Sequence, residues 1–212
     1  VAEECVAIAE RAGDPALLSD SCNRLAITIQ LEDASSARIL FNRSLGLATD
    51  IGDAVRWVRC LNNLGILELI ENNWDEARSV LRAAVDESRT AGLTEWWGRA
   101  SLNSGVLAAR IGDYDAAAEY LGEALQLCAA VQNSELQLYE TYNLAHLERA
   151  RGRTRAAGET YELVMALAQR IGQAEVEYGA RAGFGLCELA SGSISSARSA
   201  AALVEPFLES RQ

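Results

Sequence analysis

Small and polar residues recur along this sequence at intervals of 40 positions. Alanine recurs at one position of the 40-residue repeat, glycine or alanine at a second, and asparagine at a third. The positions are Ala37, Ala77, Ala117, Ala157 and Ala197; Gly65, Gly105, Ala145 and Gly185; and Asn23, Asn63, Asn103 and Asn143. A fixed period of this length is typical of stacked helical repeats. Such chains present an extended surface to a partner rather than a catalytic pocket.

Each repeat divides into two amphipathic segments, and the sequence contains only 2 prolines and no alternating strand pattern. We therefore predict an all-α fold, a right-handed α-solenoid of about eleven helices. Small residues at a fixed phase allow the two helices of each pair to approach closely. The predicted organisation is one domain over residues 1–212, with an orphan helix at 1–12 and units at about 14–52, 53–92, 93–132, 133–172 and 173–210.

Polar residues mark the expected helix starts, because their side chains can accept hydrogen bonds from the free backbone N–H groups of the first turn. Thr154 is the expected cap where Arg153 interrupts the pattern. Two pairs also have the spacing of capping boxes, Asn73 with Glu76 and Ser134 with Gln137. The other expected N-caps include Asp33 and Asp113.

The charge argues against several classes of function. The net charge is −11 and all 19 basic residues are arginine, whereas a nucleic-acid binder needs a basic face. The five cysteines are widely spaced and form no metal-binding pattern, so we expect free thiols in a reducing cytoplasm, no metal and no cofactor. No apolar run is long enough for a membrane span, and no catalytic motif is present, so we predict a non-enzymatic protein. Val1 in place of methionine indicates a fragment of a larger protein.

Two segments carry a family resemblance. Residues 61–85, LNNLGILELIENNWDEARSVLRAAV, and residues 102–125, LNSGVLAARIGDYDAAAEYLGEAL, resemble the tetratricopeptide repeat. The 40-residue period is longer than that family's usual unit and is similar to the repeat regions of large bacterial regulators. In those proteins, the resemblance implies, such a region follows a nucleotide-binding ATPase module and accompanies a DNA-binding or cyclase domain.

The asparagines at one phase are the first candidate binding residues. Asn23, Asn63, Asn103 and Asn143 lie on the first helix of each pair, and the resemblance implies that first helices line a concave groove. An amide there offers a donor and an acceptor to the main chain of an extended peptide. The alternative is that each amide bonds to the neighbouring helix and fixes the stacking of the units.

Further candidates project onto the same face at helical spacing. Arg59 and Arg99 would favour an acidic segment, or else pair with nearby carboxylates; Tyr142 and His146 offer partner contact, or else a structural role. We therefore predict a module that binds a protein or an extended peptide, as the sensing segment of a bacterial signalling or transcription regulator. The alternative is a structural scaffold that associates with itself as a homodimer.

Overall fold

The computed structural model describes residues 2–209, with side chains as far as residue 205. This part of the chain contains eleven α-helices and no β-strand, which confirms the all-α prediction. The helices are α1 (Ala2–Ala12), α2 (Pro15–Ile29), α3 (Ala34–Asp50), α4 (Ala54–Ile70), α5 (Trp74–Thr90), α6 (Thr94–Arg110), α7 (Tyr114–Val131), α8 (Ser134–Ala150), α9 (Thr154–Ile171), α10 (Ala174–Ala190) and α11 (Ile194–Glu209). The helices group into two compact units, Val1–Leu107 and Ala108–Gln212, here called unit 1 and unit 2.

Aspartate side chains begin several helices by accepting hydrogen bonds from free backbone N–H groups. Asp14 accepts from the N–H groups of Ala16 and Leu17 at 2.9 and 3.1 Å, immediately before Pro15 at the first position of α2. Asp33 and Asp113 make the equivalent bonds at the starts of α3 and α7. The last two N-caps confirm the prediction made for them from the sequence.

Three other predicted caps are wrong. Asn73 precedes α5, but its side chain makes no cap bond and instead donates to the buried Glu68 carboxylate at 2.7 Å. Asn133, rather than Ser134, caps α8 by accepting from the N–H of Leu136. Thr154 is already the first residue of α9, and the preceding Arg153 makes no side-chain cap bond.

In unit 1 the helices of each pair pack against one another, α2 on α3 and α4 on α5. Ala37 and Ala77 are fully buried, as expected of residues where two helices cross closely. A Cβ atom on Gly65 would lie 2.6 Å from Cγ of Leu81, so only glycine permits this approach of α4 to α5. The repeated small residues therefore set the packing distance within the pair.

In unit 2 one apolar core joins α8, α9 and α10. Tyr161 of α9 is the largest fully buried side chain, and it packs with Leu138 of α8 and Val176 of α10. Gly183 of α10 faces the Tyr161 ring, because a Cβ there would lie 2.6 Å from Cε1. Gly183 occupies the phase that carries asparagine in the earlier repeats. The bulk of Tyr161 thus explains why the series of asparagines ends at Gly183.

Candidate functional site

The asparagines of unit 1 bond to one another and form a chain of side-chain amides. The Nδ2 of Asn103 on α6 donates to Oδ1 of Asn62 on α4 at 2.8 Å. The Nδ2 of Asn62 donates to Oδ1 of Asn63 at 3.5 Å, and the Nδ2 of Asn63 donates to Oδ1 of Asn23 on α2 at 3.1 Å. The chain therefore links the first helices of three successive pairs.

The amides differ in how much of their hydrogen-bonding capacity remains for a partner. Asn23 and Asn62 are buried, with exposed fractions of 3% and 4%, whereas Asn63 and Asn103 are partly exposed. A side-chain amide has two N–H donors and an oxygen with two lone pairs. Asn63 and Asn103 each use one N–H within the chain of amides, so part of their hydrogen-bonding capacity remains available to solvent or a partner. Asn62 was missed as a member of this chain because it lies outside the asparagine phase.

Arg59 faces a carboxylate from the neighbouring first helix. Asp20 of α2 accepts from Arg59 and also from Nε and Nη2 of Arg56 at 3.1 and 2.9 Å; Arg56 pairs in addition with Asp53. Burial alone would raise the pKa of Asp20, but the hydrogen bonds from Arg56 and Arg59 outweigh it and hold the pKa below its usual value. The Nε of Arg59 is buried and has no hydrogen-bond partner. Asp20 therefore leaves part of the Arg59 guanidinium unused.

Arg99 lies one repeat after Arg59 and has a different environment. It donates to Glu95 on the same helix at 3.2 and 2.9 Å. Its guanidinium carbon lies 5.6 Å from the centre of the Trp96 ring, within range of a cation–π contact. Arg89 stands over Trp97 in the same way, at 5.3 Å. Arg99 and Trp96 of α6 thus lie within two turns of Asn103, the asparagine of that helix.

The remaining predicted residues lie in unit 2, where Tyr142 and His146 form a separate aromatic cluster with Tyr161. The rings of Tyr142 and His146 meet edge to face with centres 4.5 Å apart, and the ring of Tyr161 lies 5.5 Å from His146. Burial lowers the pKa of His146, and the positive charge of Arg149 lowers it further, which favours a neutral imidazole. The Nδ2 of Asn143 donates to the carbonyl of Tyr139 in its own helix at 2.8 Å, so it joins no neighbouring amide.

The described residues contain no group of three or more histidine, cysteine, aspartate or glutamate side chains that is placed to hold a metal ion. Nor is any helix in this part of the chain both long and apolar enough to span a membrane. The features that the structure does bring together are hydrogen-bonding and cationic groups along α2, α4 and α6. We call Asn63, Asn103, Arg59 and Arg99 the polar face of unit 1.

Comparison with known proteins relates one segment of the chain to a family and the chain as a whole to solved structures of the same fold. Residues 98–130 match the family described as tetratricopeptide repeat. No curated protein matches the sequence. Among solved structures, BtubC (BKLC) from P. vanneervenii superposes with a TM-score of 0.84 at 19% identity, over 99% of this chain and 89% of that one.

Two further similar structures belong to larger chains. A Rap protein complexed with competence and sporulation factor gives a TM-score of 0.72 at 17% identity, over 93% of this chain and 53% of that one. A signal transduction ATPase with numerous domains and a tetratricopeptide repeat sensor, from Pyrococcus horikoshii, gives 0.74 at 20% identity, over 93% and 31%. Identities this low establish a shared fold and nothing more specific.

Residues 98–130 thus match a tetratricopeptide repeat, and the described helices share the fold of solved structures that include a chain of TPR-like repeats. This fold is the helical solenoid type that generally serves as a non-catalytic scaffold for protein interaction.

Proposed function

We propose that the polar face of unit 1 binds an extended protein segment that carries carboxylate side chains. The observation that supports this is the spacing of its groups. Asn63 and Asn103 are partly exposed amides one repeat apart, and Arg59 and Arg99 precede them by four residues, one helical turn. An extended main chain can bond the amides while its acidic side chains pair with the guanidinium groups.

The role of Asp20 fits this proposal. It already supplies a carboxylate to Arg56 and Arg59, so the face is suited to hold that group. Asp20 is itself partly exposed, and a carboxylate of the partner therefore competes with it for the Arg59 guanidinium. In this proposal the amides hold the main chain of the partner, and the two arginines select acidic residues.

The cellular role we propose is that of a sensing or partner-binding segment in a larger bacterial regulator of signalling or transcription, acting in the cytoplasm. Two similar structures support it: one is a signalling ATPase with a repeat sensor, and the other is a Rap protein in complex with a factor. The full-length gene tests this part directly. A neighbouring ATPase, cyclase or DNA-binding module would support it, and a gene encoding none of these would contradict it.

The binding proposal is tested with random peptides displayed on phage and selected on the 212-residue protein. The proposal predicts enrichment of peptides rich in aspartate and glutamate. A selected peptide, labelled and titrated by fluorescence anisotropy, should bind Arg59→Ala at least about tenfold more weakly, since a hydrogen bond to a charged group contributes about 1.5–3 kcal/mol. It should bind Asn103→Ala about two- to tenfold more weakly, since a neutral hydrogen bond contributes about 0.5–1.5 kcal/mol. Binding should also weaken as salt is added.

Arg78→Ala is the matched control, because Arg78 is an exposed arginine of α5 that pairs only with Asp75 among the ion pairs of the described residues. This variant should bind the peptide as the native protein does. Circular dichroism of each variant reports whether the helices remain intact. Enrichment of neutral or basic peptides, or equal binding by Arg59→Ala and the native protein, would refute the proposed site.

A second candidate function is self-association, which one apolar surface favours. A groove of about 650 Å³ between α10 and α11 is lined mostly by alanine and leucine, and Leu186 and Leu189 are 52% and 55% exposed. Pairing of this groove in a homodimer would bury both leucines. Sedimentation velocity at increasing concentration should then show a dimer that Leu186→Glu abolishes. A native protein that remains monomeric at every concentration eliminates this candidate.

A further inference from the structure

The contact between α7 and α8 departs from the repeat at one of its buried positions. Glu140 of α8 is 1% exposed. At intervals of 40 residues the same position holds Cys60, Ala100 and Ala180, all of them small, uncharged and buried. The first repeat has Asp20 there, but that carboxylate is partly exposed and paired with two arginines. Among these equivalent positions, Glu140 is therefore the one that buries a carboxyl group without a cationic partner.

The carboxyl group of Glu140 is poorly accommodated. Both of its oxygens are buried and have no hydrogen-bond partner that meets normal geometry. Burial raises the pKa of Glu140 to about 7, and the nearby Cys128 thiol of α7 acts in the opposite direction. The other buried or partly buried titratable groups of unit 2 with a shifted pKa interact with Arg149 and do not contribute to the Glu140 pKa; they are Tyr142, His146, Tyr161 and Cys187.

The link between the two helices departs from the repeat as well. Gln132 has a φ of 52°, in the left-handed region that disfavours any residue with a Cβ. The same position in other repeats is glycine, at Gly52, Gly92 and Gly172, with φ values of 67°, 67° and 76°. A residue that is strained when the joint is closed adds to the tendency of the joint to open. This backbone observation is independent of the Glu140 side chain.

The two departures coincide at one joint within unit 2, which we define by Cys128, Gln132 and Glu140. A buried carboxyl beside a weak thiol donor such as Cys128 is tolerated as the neutral acid, whereas the carboxylate requires hydration. Hydration of Glu140 requires α8 to separate from α7, and that movement also exposes the Cys128 thiol. We propose that the α7–α8 joint is a hinge that closes when Glu140 is protonated and opens when it ionises.

The direction of the pH effect follows from linkage. When the joint is open and hydrated, Glu140 regains an ordinary pKa near 4.5, below its value of about 7 when the joint is closed. The open form thus loses its proton first, and the ratio of open to closed joint rises with pH between these two values. It is constant below and above that window. Since each pKa unit is a factor of ten, opening increases by more than about a hundredfold across the window.

The test measures access to Cys128 with a thiol-labelling reagent, at about pH 5 and about pH 8, on the 212-residue protein carrying Cys5→Ser to remove the exposed thiol. Mass spectrometry of the digested protein assigns the labelling rate to each cysteine. Division by the rate in unfolded protein at the same pH removes the effect of thiol ionisation itself. We expect the protection of Cys128 to fall by about a hundredfold from the lower to the higher pH.

Glu140→Gln is the matched variant, since it keeps the shape of the side chain and removes the titration; Glu140→Ala reproduces Ala100 and Ala180 if the glutamine variant folds poorly. Either variant should label at Cys128 with no dependence on pH after the correction. Cys187, buried elsewhere in unit 2, should keep constant protection in the native protein. Equal protection of Cys128 at both pH values, the same pH profile in Glu140→Ala, or parallel loss at Cys187 would each overturn the hinge.

Discussion

Replacement of Gly183 by alanine tests the packing that ends the asparagine series. The added Cβ would lie 2.6 Å from Cε1 and 2.8 Å from the hydroxyl oxygen of Tyr161. Tyr161 is fully buried, so its ring cannot rotate into solvent to relieve the overlap. Overpacking of a core costs about 1–3 kcal/mol. The higher helix propensity of alanine than of glycine offsets about 1 kcal/mol of this cost. We therefore expect Gly183→Ala to lower the free energy of unfolding by up to about 2 kcal/mol.

Urea unfolding followed by circular dichroism measures this effect, and the chain provides an internal control. Gly122 lies within α7, and a Cβ added there would meet no other atom within 4 Å. Gly122→Ala should therefore raise the free energy of unfolding by about 0.5–1 kcal/mol. The same glycine-to-alanine substitution should thus change the free energy of unfolding in opposite directions at the two positions.

A double-mutant cycle assigns the effect to the ring. Tyr161→Leu installs the residue that Leu81 and Leu121 provide at the same phase. In that background Gly183→Ala should be neutral or stabilising, with a coupling energy of about 1–3 kcal/mol, the overpacking cost itself. If Gly183→Ala destabilises equally with and without the Tyr161 ring, or behaves like Gly122→Ala, the steric explanation is refuted.

Three further effects on stability follow from buried polar groups. Arg38→Ala removes the bidentate partner of the buried Glu68 carboxylate, at 2.7 and 2.9 Å, and should lower the free energy of unfolding by about 2 kcal/mol in urea at neutral pH; no loss would contradict the pairing. The free energy of unfolding of Glu140→Ala should rise relative to that of the native protein by about 3 kcal/mol as pH increases from 4.5 to above 7. In this window the unfolded native chain ionises at Glu140 while the folded protein keeps it protonated, so the native protein loses stability. A difference between the two proteins that stays constant in urea unfolding across pH would refute this. Asn62→Ala should cost about 0.5–1.5 kcal/mol in thermal or urea unfolding, since it removes the hydrogen bond that Asn103 donates, and Asn42→Ala, at an exposed position of α3, should cost little.

The regular part of the fold could be predicted from the sequence because it depends on residue size and period. The helical repeat, the buried Ala37 and Ala77, and the aspartate caps all follow from local patterns. The predicted cap at Asn73 failed because Glu68, five residues earlier, draws the Asn73 amide away from the helix start. Local propensity does not register such a competition between a backbone and a side-chain partner.

The candidate site could be predicted in position but not in connectivity. The period locates Asn23, Asn63 and Asn103 on successive first helices, yet their partners depend on rotamers and on Asn62, which has no place in the series. The pairing of Arg59 with Asp20 joins residues 39 positions apart, a distance that no local pattern addresses. The packing of Tyr161 onto Gly183 is likewise a relation between helices, visible only in three dimensions.

The amide chain of unit 1 also bears on how near-identical hairpins find their proper neighbours while the chain folds. Asparagines at one phase would accept one another in any order, so they do not by themselves distinguish correct from shifted stacking. Asn62 does, because the corresponding positions are Cys22, Leu102, Tyr142 and Ala182, none of which carries an amide. This one amide outside the asparagine phase therefore favours the correct stacking, since a hairpin stacked on the wrong neighbour would lack the hydrogen bond that Asn62 accepts.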